Sequence, residues 1–343
     1  MRTRIRAGVV SDAAASLLAP LEHDADITVI GQATSAAAAV ALVASAHPDI
    51  LIVDLTLADG SSQRTIEQIM HDHPTPILVL SNRIDDRRSP SAVEALVAGA
   101  LDALPCPQHW TAEQSAELRE TVRRLSKTWV IRHLRGGPSD GTSAHRTKRP
   151  GEQRPVVAVA ASTGGPSALA TLLADLAALD APVLIVQHLH ADFVDGLQEW
   201  MSRVSALPVE VARHHQLAQP GRVYLAPGNL HLRLGSNQRL ELNPEPISTH
   251  RPSADVLFSS VAAHAGPAAV GVILTGMGDD GARGLLELRR GGGQTIGQDE
   301  ASCAVFGMPR AAQRLGAVAE VLALDQVAPA VRRAVRTLAK AHE

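Results

Sequence analysis

The sequence is poor in aromatic residues, with three Trp, one Tyr and three Phe in 343 residues. Proteins that bind single-stranded nucleic acid stack bases on aromatic side chains, so this scarcity argues against that class. The net charge of −3 offers no general attraction to nucleic acid or to an anionic membrane surface. Nucleic acid is therefore not an expected partner.

Cysteine and long apolar runs are also scarce. Cys106 and Cys303 are the two cysteines, too few for a disulfide framework, which favours a reducing cytoplasm. No apolar run approaches the roughly 18 residues of a membrane span, and Asp12 interrupts the apolar N-terminal segment that a signal peptide would need. We therefore expect a cytoplasmic protein that does not insert into a membrane.

The first hundred residues alternate short β-branched runs with Ala-rich helical stretches, the pattern of a parallel α/β sheet. We predict strands over Ile5–Val10, Ile27–Gly31, Ile50–Val53, Ile77–Leu80 and Leu101–Leu104, and helices over Ser35–Ala46, Ser61–His71 and Ser91–Ala98. Five such units match a flavodoxin-like, doubly wound domain.

A long helix over Thr111–Leu134, capped by Thr111, is predicted next. Residues Gly136–Pro155 are rich in Gly, Pro, Ser and basic side chains, which is typical of a flexible linker. The predicted domains are 1–108, a helix and linker over 109–154, and a second α/β domain over 155–343. In that domain we predict strands over 156–162, 183–187 and 270–275, several short strands between 209 and 242, and helices over 166–176, 192–204, 253–265, 282–290 and 327–341.

Ser162 follows the strand that begins this second domain and precedes Gly164, Gly165 and a helix that starts with Pro166. This strand–turn–helix arrangement is one in which hydrolases present a nucleophile. An anion-binding turn or a simple helix cap is the alternative.

His188 ends a strand and is a candidate general base. Together with His190 and Asp192 it also matches H-x-H-x-D, a spacing used by two-metal hydrolases. A solvent-exposed pair of histidines is the third interpretation.

The segment Gly276–Gly281 formally matches the dinucleotide fingerprint G-x-G-x-x-G. Asp279 and Asp280 inside it would repel a pyrophosphate and better suit a carboxylate that orients a histidine. Ser162, His188 and one of these two aspartates thus predict a serine hydrolase at the carboxyl edge of one sheet. Spacing does not choose between Asp279 and Asp280.

The segments ASTGGP, QHL, APGNLHL, HRPSADVLF, TGMGDDGA and QDEASCAVFGMPR resemble the chemotaxis protein-glutamate methylesterase (CheB) family. The resemblance implies an N-terminal receiver domain joined by a linker to an esterase domain. It implies Ser162 as nucleophile, His188 as base, Asp280 as triad acid and the Met277 main-chain N–H in the oxyanion hole. Arg251, His231 and Asp255 lie in family segments near the cleft; a structural ion pair between Arg251 and Asp255 is the alternative to substrate positioning.

The implied substrate is the γ-methyl ester of glutamate on the cytoplasmic helices of chemoreceptors, with deamidation of glutamine as a related activity. Catalysis would need no cofactor, and a histidine kinase is a candidate partner. The remaining alternatives are a non-catalytic signalling scaffold and the metal-dependent hydrolase.

The receiver half departs from the family pattern. Asp54 matches the phosphoacceptor and Ser81 the switch hydroxyl, but the usual acid pair is reduced to Asp12 beside Ser11, and Cys106 stands where the family has a lysine. Because Mg²⁺ prefers carboxylate ligands and the lysine contacts the phosphate, both Mg²⁺ binding and phosphotransfer should be weakened. We therefore expect a degenerate receiver, with a weakened but phosphorylatable Asp54 as the alternative.

Overall fold

The structure is a computed structural model that describes residues 4–55, 57, 62–81, 90–107, 109–127, 154–248 and 250–341. The chain divides into two compact units, Met1–Leu134 and Arg135–Glu343. The predicted linker lies outside the described residues, apart from residues 154 and 155. Among the described residues, no helix is both long and apolar enough to cross a membrane.

The first unit is a five-stranded parallel sheet with the order β2-β1-β3-β4-β5. Its strands are β1 (Ile5–Val10), β2 (Ile27–Ala33), β3 (Ile50–Asp54), β4 (Ile77–Ser81) and β5 (Asp102–Pro105). Its helices are α1 (Ala14–Leu21), α2 (Ala36–Ala46), α3 (Ser62–Asp72), α4 (Pro90–Ala98) and α5 (Ala112–Leu125). This is the flavodoxin-like strand order, which confirms the predicted fold class.

The central strands of this sheet are mostly apolar because helices cover both faces. Leu51, Ile52 and Val53 in β3 are all fully buried. Helix α1 escaped prediction: Ala13 precedes it without a side-chain cap and Pro20 lies within it, so the usual helix signals are missing.

Helix α5 begins as predicted and ends earlier than predicted. Thr111 and Gln114 form a reciprocal capping box at its start. The helix ends at Leu125 rather than Leu134, where the Ser126 hydroxyl donates to the main-chain oxygen of Arg123 and competes with further helix hydrogen bonds. Residues 128–134 lie outside the described ranges.

The second unit is a seven-stranded parallel sheet with the order β14-β13-β12-β6-β7-β9-β8. The strands are β6 (Val156–Ala161), β7 (Val183–Gln187), β8 (Val209–Val211), β9 (Val223–Leu225), β12 (Ala269–Ile273), β13 (Gln294–Gln298) and β14 (Glu320–Leu322). A separate antiparallel hairpin joins β10 (His231–Leu234) and β11 (Leu240–Asn243). The helices are α6 (Gly165–Ala174), α7 (Val194–Val204), α8 (Ala254–His264), α9 (Ala282–Arg290), α10 (Met308–Arg314) and α11 (Leu324–Ala341).

Strand β6 is the first strand of this unit and lies between β7 and β12. The chain therefore builds the sheet outward from β6 in both directions, and the carboxyl edge around β6 is a topological switch point. The second doubly wound domain is thus confirmed. Sequence periodicity missed β13, β14 and α10, which are short elements of three to seven residues.

Candidate active site

Ser162 and His188 each follow a central strand of the second unit. Strands β6 and β7 are paired in parallel as far as Ala161 and Gln187, so the residues that follow the two strands leave the sheet at the same edge. The His188 N–H continues this pairing by donating to the Ala161 oxygen at 2.9 Å. The predicted nucleophile and base thus start from adjacent main-chain positions.

Asp280 is held by the first turn of α8. Its Oδ1 accepts hydrogen bonds from the Ser253 hydroxyl at 2.8 Å and the Asp255 N–H at 3.0 Å, and its Oδ2 accepts from the Ala254 N–H at 2.7 Å. The N-terminus of a helix favours a negative charge because its N–H groups are unpaired and the helix dipole is positive there. The carboxylate is thereby fixed in position and in its ionised form.

The carboxylate faces the imidazole ring of His188. Nε2 of His188 lies 2.8 Å from Oδ2 of Asp280, and both side chains are about nine-tenths buried, at 9% exposure each. Burial would raise the pKa of Asp280, but its hydrogen bond and charge interaction with His188, together with the α8 N–H groups, lower that pKa below its usual range. An ionised Asp280 selects the ring tautomer that carries its proton on Nε2.

The other ring nitrogen of His188 is available as a base. Nδ1 is buried and has no hydrogen-bond partner among the described residues, the Ser162 hydroxyl included. Nε2 lies within ion-pair distance of Asp280 but outside hydrogen-bond geometry. Because the ionised Asp280 lies against Nε2 and favours a proton there, Nδ1 is left as an unprotonated acceptor. This geometry suits a general base.

The turn that carries Ser162 is fastened to the loop after β12. The Ser162 N–H donates to the Thr275 oxygen at 3.0 Å. A Cβ at Gly276 would lie 2.7 Å from the Ser162 Cβ and 2.3 Å from the Met308 sulfur, so only glycine permits this approach. The following residue, Met277, has a main-chain N–H that donates no hydrogen bond within the described residues.

Each of the two units matches a known protein family. Residues 157–331 match the CheB methylesterase family and residues 11–113 the response regulator receiver domain. The chain belongs to the CheB methylesterase family. It is 41% identical to a protein-glutamate methylesterase/protein-glutamine glutaminase of Anaeromyxobacter dehalogenans, over 94% of this chain and 97% of that one.

Two further relatives agree with this assignment. The protein-glutamate methylesterase FrzG of Myxococcus xanthus is 40% identical over 86% of this chain and 87% of its own. The crystal structure of the Thermotoga maritima CheB methylesterase catalytic domain is 31% identical, covers 52% of this chain and 98% of its own, and superposes with a TM-score of 0.50.

Of the residues named from the family segments, Asp255 and His231 have other partners than the Arg251–Asp255 alternative or substrate positioning would require. Asp255 contacts Arg283, at 3.6 Å, and the Gly284 N–H, and it does not pair with Arg251. His231 is fully buried, with Nε2 on the Pro246 oxygen and Nδ1 accepting from the Ser253 N–H, so it supports the chain before α8 and cannot reach a substrate.

The histidine pattern H-x-H-x-D does not form a shared cluster. His188 turns to Asp280, whereas Nδ1 of His190 lies 3.2 Å from Asp192 and both of those side chains are about half exposed. No group of three His, Cys, Asp or Glu side chains suited to a metal occurs among the described residues. The geometry therefore gives no support to the metal-dependent alternative.

Ser253 and His250 are site residues that sequence reasoning missed. Ser253 caps α8 and donates to Asp280, and its pattern as an N-cap was visible in the sequence, although its carboxylate partner was not. His250 stacks on the His188 ring, with centroids 4.5 Å apart and ring planes within 11°. No spacing in the sequence connects these two histidines.

The receiver unit brings its predicted residues to the carboxyl edge of its own sheet. The Ser11 hydroxyl donates to Oδ2 of Asp54 at 3.1 Å, while Asp12 is exposed and Ser81 is fully buried. Partial burial and the charge of Asp54 raise the pKa of the Cys106 thiol to about 11. A thiol and a hydroxyl thus stand where the resemblance to receivers leads us to expect a lysine and an acid.

Proposed function

We propose that this protein hydrolyses γ-methyl esters of glutamate on the cytoplasmic helices of chemoreceptors, through Ser162, His188 and Asp280. The observation that carries the proposal is the 2.8 Å contact of His188 Nε2 with an Asp280 held by α8, which leaves the buried Nδ1 as the base beside the Ser162 strand end. Relatives whose names specify this activity support the substrate class.

In the first step, Oγ of Ser162 attacks the ester carbonyl carbon and its proton moves to Nδ1 of His188. The negative charge that develops on the carbonyl oxygen is directed to the Met277 N–H, which supplies the oxyanion hole. The ionised Asp280 stabilises the imidazolium that forms. This arrangement uses no cofactor.

In the second step, the tetrahedral intermediate collapses and His188 returns its proton to the leaving methoxide, which departs as methanol. A water molecule then attacks the acyl-enzyme, with His188 again accepting the proton, and releases glutamate and free Ser162. Glutamine would follow the same route with ammonia as the leaving group, giving the deamidase activity that the names of several relatives include.

The test is methanol release from a methylated receptor by the wild-type protein, by Ser162→Ala and after chelator treatment. We expect loss in Ser162→Ala alone. Loss with chelator alone would support a metal hydrolase, and an inactive wild-type protein would support a signalling scaffold, so either result contradicts the proposal.

We also propose that the receiver regulates the esterase as a degenerate module in which Asp54 is not phosphorylated, rather than as a weakened but phosphorylatable receiver. Receivers of this fold bind Mg²⁺ through their acid cluster, and here Asp12 and Asp54 remain while Ser11 offers only a hydroxyl that already donates to Asp54. This donor set fits Mg²⁺ poorly. Incubation with Mg²⁺ and beryllofluoride, followed by intact-mass analysis, should leave Asp54 unmodified; a stoichiometric adduct would overturn this part, and a histidine kinase would then be a direct partner.

A further inference from the structure

Gln187 joins the two residues that this site depends on. It is the last residue of β7 and is 2% exposed. Its Nε2 donates to the main-chain oxygen of Ser162 at 2.8 Å and to that of His188 at 3.0 Å. Because both partners are carbonyl oxygens, the amide must present its nitrogen to them.

The two bonds cross the gap where the sheet ends. The ladder of β6 and β7 stops at Ala161 and Gln187, and beyond it the chains diverge into the turn before α6 and the loop before α7. The NH₂ group of Gln187 binds both carbonyl oxygens and so sets the separation of the segments that follow β6 and β7, just past the last hydrogen bond between the strands. The separation of the Ser162 and His188 side chains depends directly on this spacing.

The amide oxygen of Gln187 indicates that the side chain does more than fill space. Oε1 of Gln187 is buried and has no hydrogen-bond partner among the described residues, and a Cβ at Gly165 would lie 1.9 Å from it. A buried carbonyl without a partner costs free energy that an apolar side chain of the same shape would not. The amide is therefore explained by its two donated hydrogen bonds rather than by packing alone.

We propose that Gln187 is a positioning residue for the hydrolysis, one that fixes the distance between Ser162 and His188 through their main-chain oxygens. The inference rests on the proposed roles of those two residues. Gln187 does not touch the substrate, so its loss should reduce kcat and leave KM nearly unchanged.

The first test replaces Gln187 with Met, which keeps its length and removes both donors. We expect kcat for methanol release to fall about tenfold to a hundredfold, the range for small misplacements of reacting groups, with KM within about twofold. Gln198→Met is the matched control, because Gln198 on α7 donates through Nε2 to the main-chain oxygen of Val209 in β8. Wild-type kcat in Gln187→Met, or an equal loss in Gln198→Met, would overturn the proposal.

The second test, Gln187→Glu, adds a pH dependence to the measurement, and thermal unfolding of the variant at each pH separates it from a change in stability. A buried carboxyl facing two carbonyl oxygens has a raised pKa, and its protonated form can donate one hydrogen bond as the amide does. The ratio of the variant's kcat to the wild-type kcat should therefore rise as pH falls from about 8 to about 6. A ratio that stays flat across this range contradicts the proposal.

A fluorophosphonate probe separates this proposal from the proposed function, because it reacts with an activated serine without receptor recognition. Slower labelling of Ser162 in Gln187→Met than in wild type supports the positioning role even if no methanol is released from the receptor. Equal labelling rates together with an active wild-type enzyme reject the positioning role and leave the proposed function intact.

Discussion

Oδ2 of Asp280 lies 2.8 Å from Nε2 of His188, and the same oxygen accepts the first N–H of α8. The N-terminus of α8 thus holds the Asp280 carboxylate in the position from which it contacts the imidazole ring. Its neighbour Asp279 is exposed. Two adjacent carboxylates, indistinguishable by spacing, therefore have different environments.

Asp280→Asn should reduce kcat by about 10⁴-fold, the loss typical when a triad acid is replaced by its amide and the histidine tautomer is no longer selected. Asp279→Asn is the control and should stay within about twofold, because its side chain is exposed. Methanol release from a methylated receptor measures both. If Asp279→Asn lost more activity than Asp280→Asn, the triad acid would be Asp279 and the present assignment would be wrong.

Ser253→Ala should lower both stability and activity. The variant loses an N-cap, which is worth about 0.5–2 kcal/mol of unfolding free energy, and a hydrogen bond to Asp280. Ser35→Ala is the matched control, because Ser35 caps α2 of the first unit in the same way. Thermal unfolding should shift in both variants, whereas methanol release should fall only in Ser253→Ala.

The site shows what a single sequence can and cannot predict. Ser162 and His188 were predictable as neighbours because parallel strands leave their sheet at one edge, and strand ends are visible as the ends of apolar runs. The partners of Asp280 were not, because Ser253, the cap of α8, is 27 residues from Asp280 along the chain and meets it only after packing. The stacking of His250, the bridge from Gln187 and the pairing of Asp255 with Arg283 likewise depend on three-dimensional contacts that no periodicity encodes.

His250→Ala should lower kcat/KM about twofold to tenfold, since an aromatic contact is worth about 0.5–1.5 kcal/mol and here it restrains the ring plane of His188. His250→Phe should retain most activity near pH 7. Partial burial and the nearby His188 lower the pKa of His250, so the native ring is neutral there and Phe replaces it without loss of charge. Equal losses in both variants would assign the effect to the imidazole nitrogens instead, and His214→Ala, which alters a different histidine pair, controls for general damage.

The receiver should lose stability in acid through two aspartates. Hydrogen bonds from Arg123 on α5 lower the pKa values of Asp24 and Asp26. A carboxyl whose pKa is lower in the folded state stabilises the fold above its unfolded pKa of about 3.9, and this contribution is lost as pH falls further. Arg123→Met should therefore destabilise the receiver at pH 7, and its difference from wild type should shrink between about pH 5 and pH 2.

Hydrogen exchange of the receiver amides, followed by mass spectrometry on the full chain, measures the stability difference between Arg123→Met and wild type for the receiver unit alone. Arg124→Met is the control on the same helix, because Arg124 makes a single, more exposed contact with Asp102 and should matter less. A wild-type advantage that grows on acidification would contradict the assignment.

Two substitutions should convert the receiver into a phosphorylatable one. Ser11→Asp supplies a second carboxylate beside Asp54 and removes the hydroxyl that donates to it. Cys106→Lys replaces a thiol that is neutral at pH 7, given its raised pKa of about 11, with a cation that can contact phosphate. With Mg²⁺ and acetyl phosphate, the double variant should gain one phosphate by intact mass, and adding Asp54→Asn should abolish the gain. If the double variant stays unmodified, a feature other than these two side chains limits phosphotransfer; if wild type is modified equally, the receiver is not degenerate.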